Sequence, residues 1–114
     1  MNISFPRLFV LADDGKTPVP VDSIIEWGQF LEHDARRQLA LDVVSTQPLV
    51  EVSTIFIGID YNFGRRPDEP PRCWETMVFG GENDRWCCRY NSHDDALSGH
   101  KKAVRYTKRG LPIP

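Results

Sequence analysis

The sequence lacks any long apolar run. Its longest, Ile55-Phe56-Ile57-Gly58-Ile59, falls far below the roughly 20 residues that a membrane-spanning helix needs. The first residues also lack the basic segment followed by an apolar stretch that forms a secretory signal. Together these absences predict a cytoplasmic protein.

Cysteine is scarce as well. Cys73, Cys87 and Cys88 form an odd set with two adjacent members, which is a poor disulfide framework, so we expect reduced thiols. Cys87 and Cys88 point to opposite faces of a predicted strand and cannot both bind one ion, and the chain has no Cys-x-x-Cys pair. We therefore expect no metal site. We also expect no cofactor, since no Walker-type or dinucleotide glycine motif is present.

Positive charge is not in excess. The net charge of −2 makes nucleic acid an improbable main partner. Basic residues nevertheless crowd towards the C-terminal end, at Lys101, Lys102, Arg105, Lys108 and Arg109. The 114 residues suit one domain, and a hydrophobic content of 40% is enough for that domain to fold around a core.

The hydrophobic patterns predict an α+β domain over residues 1–107 and a flexible tail over 108–114. Helices are expected at 23–38 and 92–107, because Ser23 with Glu26 and Ser92 with Asp95 have the spacing of N-terminal caps. Strands are expected at 8–11, 39–44, 50–61, 73–79 and 85–90. The simplest arrangement has two layers, with an antiparallel sheet of three or four strands and both helices on one face.

Two features of this sheet bear on binding. The strand at 50–61 places Ile55 and Ile57 on one face and Val52 on the other, so we expect it to be central and buried on both faces near its middle. Trp74, Trp86 and Tyr90 share one strand parity. If the helices leave that face open, it forms an aromatic patch that dimerisation or a partner would cover.

Three polar residues of the predicted strands and the second helix have two interpretations. Asp60, Glu75 and His100 could meet and perform acid–base chemistry. Alternatively Glu75 pairs with Arg85 or Arg89 across a hairpin, and His100 is a hydrogen-bonded core residue. The second interpretation is favoured, so the three are predicted as a structural cluster and no catalytic residue is assigned.

The long loop at 61–71 is the preferred site for ligand binding. Arg65 and Arg66 could grip a phosphate or a carboxylate, with Tyr61, Trp74, Trp86 or Tyr90 as neighbouring aromatics. Long loops in small domains are often functional. The opposite interpretation is a solvated loop in which Asp68 and Glu69 balance the arginines.

Three sequence blocks carry a resemblance: residues 52–60 (VSTIFIGID), 62–64 (NFG) and 75–81 (ETMVFGG). They resemble a family of small uncharacterised proteins of bacteriophages and prophages. The resemblance implies a phage origin, and hence the cytoplasm of a bacterial host, but no activity. Members carry His in place of Tyr61 and Phe in place of Trp74, and a glycine-rich stretch replaces Arg65 and Arg66. Any role in the family that depends on this His is therefore not expected of this chain.

The leading functional prediction is a non-enzymatic phage accessory protein that binds a host protein or complex, such as an anti-CRISPR-like inhibitor of a defence system. A homodimer is a further possibility. The alternative is a binder that sequesters a nucleotide signal at Arg65 and Arg66. An enzyme built on Asp60, Glu75 and His100 is the third and least favoured hypothesis.

Overall fold

The computed structural model describes residues 7–61, 64–66 and 68–114. Its strands are β1 (Phe9–Leu11), β2 (Pro18–Pro20), β3 (Gln38–Thr46), β4 (Leu49–Phe56), β5 (Trp74–Phe79) and β6 (Cys87–Tyr90). Its helices are α1 (Ile24–His33) and α2 (His93–Lys108), with a 3₁₀ turn at Ala35–Arg37. The predicted α+β class is confirmed. None of the helices in these residues combines the length and apolar content needed to cross a membrane.

The main sheet has the strand order β3-β4-β5-β6, and each strand is antiparallel to the next. Chain neighbours are thus neighbours in space, which makes the sheet an antiparallel meander. The β3–β4 pairing shifts register twice, between Gln38 and Ala40 and between Val43 and Ser45. Strands β1 and β2 form a separate two-stranded hairpin.

Strand β4 ends five residues before the predicted boundary. Gly58 has a φ of +70°, and its carbonyl accepts a 2.8 Å hydrogen bond from the Phe9 amide. Ile59 then pairs with Leu8 in an isolated bridge. The chain therefore leaves the main sheet after Phe56 and crosses to the β1–β2 hairpin, since glycine adopts this left-handed conformation without steric cost.

Helix α2 crosses all four strands of the main sheet and covers one of its faces. The buried residues of α2 are Ala96, His100, Ala103 and Thr107, which recur every three or four residues and so share one side of the helix. In β4 the burial alternates, so that Val52, Thr54 and Phe56 are fully buried while Ser53 and Ile55 are only partly covered. The prediction that both faces of this strand are buried is therefore wrong. One face is the core, and the other has no helix over it among the described residues.

Helix α1 is shorter and more peripheral than predicted. The Ser23 hydroxyl accepts a hydrogen bond from the Glu26 amide and caps the helix as expected. The helix ends at His33 because the Asp34 side chain accepts from the Arg36 amide and begins the 3₁₀ turn. It is attached to the domain by Phe30, whose ring packs edge-to-face on Phe56 at 5.8 Å, and by Trp27, whose Nε1–H donates to the Gly58 carbonyl at 2.8 Å.

The C-terminal residues differ from the predicted loose tail. Ile113 is buried in the cluster that contains Val52 and Val78. The Asn83 side chain donates to the Leu111 carbonyl at 2.9 Å and accepts from the Ile113 amide at 3.2 Å. The composition of this segment predicts fraying, but one apolar anchor and one amide that pairs with the backbone fix it to the domain.

The β1–β2 turn gives a prediction about acid stability. Asp14 accepts hydrogen bonds from the Thr17 hydroxyl and from the Lys16 and Thr17 amides, and these bonds lower its pKa to about 2. A depressed folded pKa contributes stability above the unfolded pKa of 3.8, and this contribution is lost as the pH falls towards 2. We expect Asp14→Asn to flatten the fall in unfolding free energy between about pH 5 and pH 2, measured by urea denaturation. Asp13→Asn removes the same charge from the same turn and serves as the control. Equal slopes in the two variants would contradict this account.

Candidate functional site

The three aromatics predicted to share a strand face lie on the face that α2 covers. Trp74 is 1% exposed and packs edge-to-face on Phe56, with ring centroids 5.2 Å apart. Tyr90 packs against the same cluster and Trp86 against a second one. A side chain at Gly99 would overlap the Tyr90 ring, so the helix contacts this ring closely. The aromatic patch is therefore internal, and Trp74 has no surface with which to bind a ligand.

The predicted cluster of Asp60, Glu75 and His100 does not assemble. Glu75 lies on the uncovered face of β5, where its Oε2 is 2.9 Å from Nε of Arg89 across the hairpin. This is the pairing that the alternative interpretation predicted. Asp60 is buried and pairs with Arg65, with its Oδ2 2.6 Å from the guanidinium Nε. His100 lies on the covered face, so the sheet separates it from Glu75.

His100 instead joins a polar network inside the core. Its Nδ1 is 2.7 Å from the Thr54 hydroxyl, which lies 2.5 Å from the Thr76 hydroxyl. Its Nε2 is 2.6 Å from Oδ2 of Asp42, at the outer end of the network. His100 is 3% exposed and both threonines are fully buried, whereas the Asp42 side chain is half-exposed. The prediction of a hydrogen-bonded core histidine is confirmed, and its partners are Thr54 and Asp42.

The order carboxylate, imidazole, hydroxyl is that of a nucleophilic triad. A nucleophile must reach its substrate, and the Thr54 oxygen lies beneath α2. The network is satisfied when the Thr54 hydroxyl donates to Nδ1 and Nε2–H donates to Asp42. Its evident role is to pair three buried polar groups, Thr54, Thr76 and His100, that would otherwise be costly to bury.

The predicted binding loop uses one of its two arginines internally. Arg65 is largely buried, and besides its ion pair with Asp60 it donates from Nη1 to the Glu69 carbonyl at 3.0 Å. Its guanidinium carbon also lies 5.9 Å from the centre of the Phe9 ring. Arg66 stays exposed beside Glu69. Arg65 thus anchors the loop to the core, and the two arginines do not form the predicted joint anion grip.

Tyr61 lies in a small cleft next to this loop. It is 49% exposed, and the Arg89 guanidinium carbon lies 4.7 Å from its ring centre. With Asp60 and Arg72, these residues line a cleft of about 130 Å³. Pockets for drug-sized ligands start at about 300 Å³, so this cleft is too small to enclose a nucleotide.

Several exposed apolar side chains lie on the face of the main sheet opposite α2, which we call the open face. Its cross-strand rows are Val43–Glu51–Phe79, then Leu41–Ser53–Met77–Cys87, then Gln38–Ile55–Glu75–Arg89, and Leu49 extends it at one end. Leu41, Val43, Leu49 and Phe79 are each about half-exposed or more. Helix α2 lies on the other side of the sheet, and among the described residues the end of α1 and the 3₁₀ turn border only the row of Gln38 and Ile55.

Comparison with protein-family models, with curated proteins and with solved structures found no match. The resemblance to phage proteins therefore stays a prediction. Residues 62 and 63 of its NFG block, like residues 1–6 of the predicted domain and residue 67 of the loop, lie outside the described residues.

Sequence reasoning missed Asp42 and the open face. Asp42 is an isolated acid in a weakly predicted strand, 58 positions from its partner His100. The open face was indicated locally by Leu41 and Val43, which alternate with Asp42. The strand pairing places both on the same face of the sheet as Phe79. What the sequence did not reveal is which face the helices leave uncovered.

Proposed function

We propose that the chain is a protein-binding module that acts by docking its open face on a partner protein, without an enzymatic activity of its own. The observation that supports this is the row of half-exposed apolar side chains, Leu41, Val43 and Phe79 among them, on one side of a regular sheet. Contiguous exposed apolar area of this kind on a small domain is typical of interaction surfaces.

A protein fits this surface better than a small molecule does. Small ligands are bound in concave sites that enclose most of their surface, whereas the open face is one side of a four-stranded sheet. Protein interfaces combine apolar side chains with a smaller number of polar ones. On the open face Met77 is apolar on the inner strand β5, Leu41 is apolar on the edge strand β3, and the Glu75–Arg89 pair is at one end.

The open face also indicates the chemistry of the partner. Glu51 lies between Val43 and Phe79 and forms no ion pair with the cations of the described residues. A carboxylate among apolar groups is costly to cover unless a cation meets it. The partner is therefore a protein that presents a Lys or Arg within an apolar patch.

The identity of the partner is supported by the resemblance alone. A phage origin favours a bacterial host protein, including a component of a defence system. The absence of an enzymatic role is supported by the burial of Thr54, by the pairing of Glu75 with Arg89, and by the separation of His100 from Glu75 across the sheet.

The test compares two pairs of substitutions. Val43→Lys with Phe79→Lys places charge on the open face at positions that are 52% and 48% exposed. Ile24→Lys with Ile25→Lys makes the same chemical change on α1, at 68% and 70% exposure.

Proteins captured from a bacterial lysate by the unmodified chain are purified and titrated by calorimetry against all three forms. We expect the open-face pair to weaken binding at least about 100-fold, since hot-spot losses reach 2 kcal/mol and more. The α1 pair is expected to change the affinity by less than about threefold relative to the unmodified chain, because surface changes outside an interface have small effects.

Two outcomes would overturn the proposal. One is that no captured protein, once purified, distinguishes the two pairs. The other is a concentration-dependent dimer in sedimentation experiments that the open-face pair abolishes, which would make a second copy of the chain the occupant of the face.

A further inference from the structure

A second site lies on the other side of the molecule, in the cleft between α2 and the edge strand β3. The cleft has a volume of about 440 Å³ and is lined by Asp42, His100, Lys101, Val104, Arg105 and Lys108. We infer that this cleft binds a phosphorylated small molecule with free hydroxyl groups, of which a nucleoside polyphosphate is the representative. The inference is independent of the protein partner, because no residue of the open face lines the cleft.

The cations of the cleft are available to a ligand. Lys101, Arg105 and Lys108 are exposed, and none is paired with a carboxylate of the described residues. Their spacing of four and three residues places them on one stripe of α2, about 10 Å from first to last. This span exceeds a single phosphate group and suits a chain of two or three. Arginine and lysine are also the side chains that bind phosphate most often.

The opposite wall of the cleft supplies a hydrogen-bond acceptor. Asp42 is held by His100 through Oδ2, while the bonds found among the described residues leave Oδ1 without a donor. A carboxylate fixed in this way can accept from sugar hydroxyls, as the acidic residue of dinucleotide sites does. His100 is itself fixed by Thr54, so the acceptor is attached to the core. Cations on one wall and a carboxylate on the other match a ligand with a phosphate end and a hydroxyl end.

A long polyanion is a poorer match. The net charge of the chain is −2, and the Asp42 carboxylate would repel a phosphate strand laid along the cleft. A simpler explanation also exists, because cations near a helix C-terminus interact favourably with the helix dipole. That explanation applies equally to Arg109, which caps the helix, and Lys102 is a further cation of α2; neither residue lines the cleft. These two residues therefore provide a matched control.

The first experiment is calorimetric titration of the full chain with inorganic phosphate, tripolyphosphate, ATP and an oligo-dT of about 12 nucleotides. It is run at about 50 mM salt, where exposed charges are weakly screened. Two double variants are compared. The first carries Arg105→Gln and Lys108→Gln, and the second, the control, carries Lys102→Gln and Arg109→Gln. Each of them removes two positive charges. We expect ATP affinity to fall at least about tenfold in the first pair, since charge-assisted bonds to phosphate are lost, and less than about twofold in the second.

A third variant, Asp42→Ala, separates the two ends of the ligand. We expect it to lower ATP affinity while leaving tripolyphosphate affinity unchanged or higher, because it removes a hydroxyl acceptor and a repulsive charge together. The ratio of the two affinities does not depend on how much of the protein is folded. The inference is overturned if no phosphate compound binds, if both cation pairs weaken ATP equally, or if oligo-dT binds more tightly than ATP.

Discussion

Replacing Trp74 by alanine is expected to lower the free energy of unfolding by about 4 kcal/mol, the usual cost of removing a buried aromatic side chain. Trp74 is 1% exposed and packs on Phe56, and it shares a cluster with Phe9, Leu11 and Ala96. Truncation leaves a cavity bordered by both the sheet and α2. Small domains have a total stability of about 5 to 15 kcal/mol, so the variant would lose a large part of it. Urea denaturation followed by circular dichroism measures the loss.

Trp86→Ala is the matched control for this experiment. Trp86 has the same side chain, directly precedes β6 and packs on the same side of the sheet, but it is only partly buried, so we expect a loss of about half that size. Equal losses in the two variants would contradict the assignment of Trp74 to the centre of the core. So would a Trp74→Ala protein of normal stability that failed to bind a partner, since that result would make Trp74 a contact residue.

The network of Thr54, Thr76 and His100 predicts a non-additive pair of substitutions. Thr54→Val removes a hydroxyl that bonds both other groups, and we expect a cost of about 2 kcal/mol because partners are left buried without a bond. His100→Leu keeps a similar volume and is expected to cost about 3 kcal/mol for the same reason. The double variant removes both partners together. Its cost should therefore fall at least about 1 kcal/mol below the sum of the single costs.

The measurement is urea denaturation of the four proteins of this cycle at neutral pH. Val52→Ala combined with His100→Leu serves as a comparison, since it pairs the histidine change with a core residue outside the hydrogen-bond chain. Strict additivity of Thr54→Val with His100→Leu would show that the short distances in the network carry no coupling energy.

Local chemistry was enough to predict most of the elements. Ser23 and Ser92 cap the helices because each accepts from an amide three residues ahead, a relation visible in the sequence. The pairing of β3 with β4 and of β5 with β6 follows from the short connections that join them. The alternation of Val52, Thr54 and Phe56 marked one face of β4 correctly as core.

The residues that sequence reasoning misplaced depend on contacts between distant parts of the chain. Strand parity groups Trp74 with Tyr90, but it does not say that α2 lies on their side of the sheet. Asp42 and His100 meet only because β3 is the edge strand beside α2. Arg65 turns inward because Asp60, at the end of a different segment, needs a buried partner. Each of these outcomes is set by packing and not by local pattern.

The two register shifts in β3 affect how the molecule can associate. An outer strand with an even ladder offers free amides and carbonyls to a strand of another molecule and so favours aggregation. Irregular pairing between Gln38 and Ala40, and again between Val43 and Ser45, breaks that row into short pieces and twists it. The β3 edge is therefore a poor template for strand addition, and fibril-like growth through it is disfavoured.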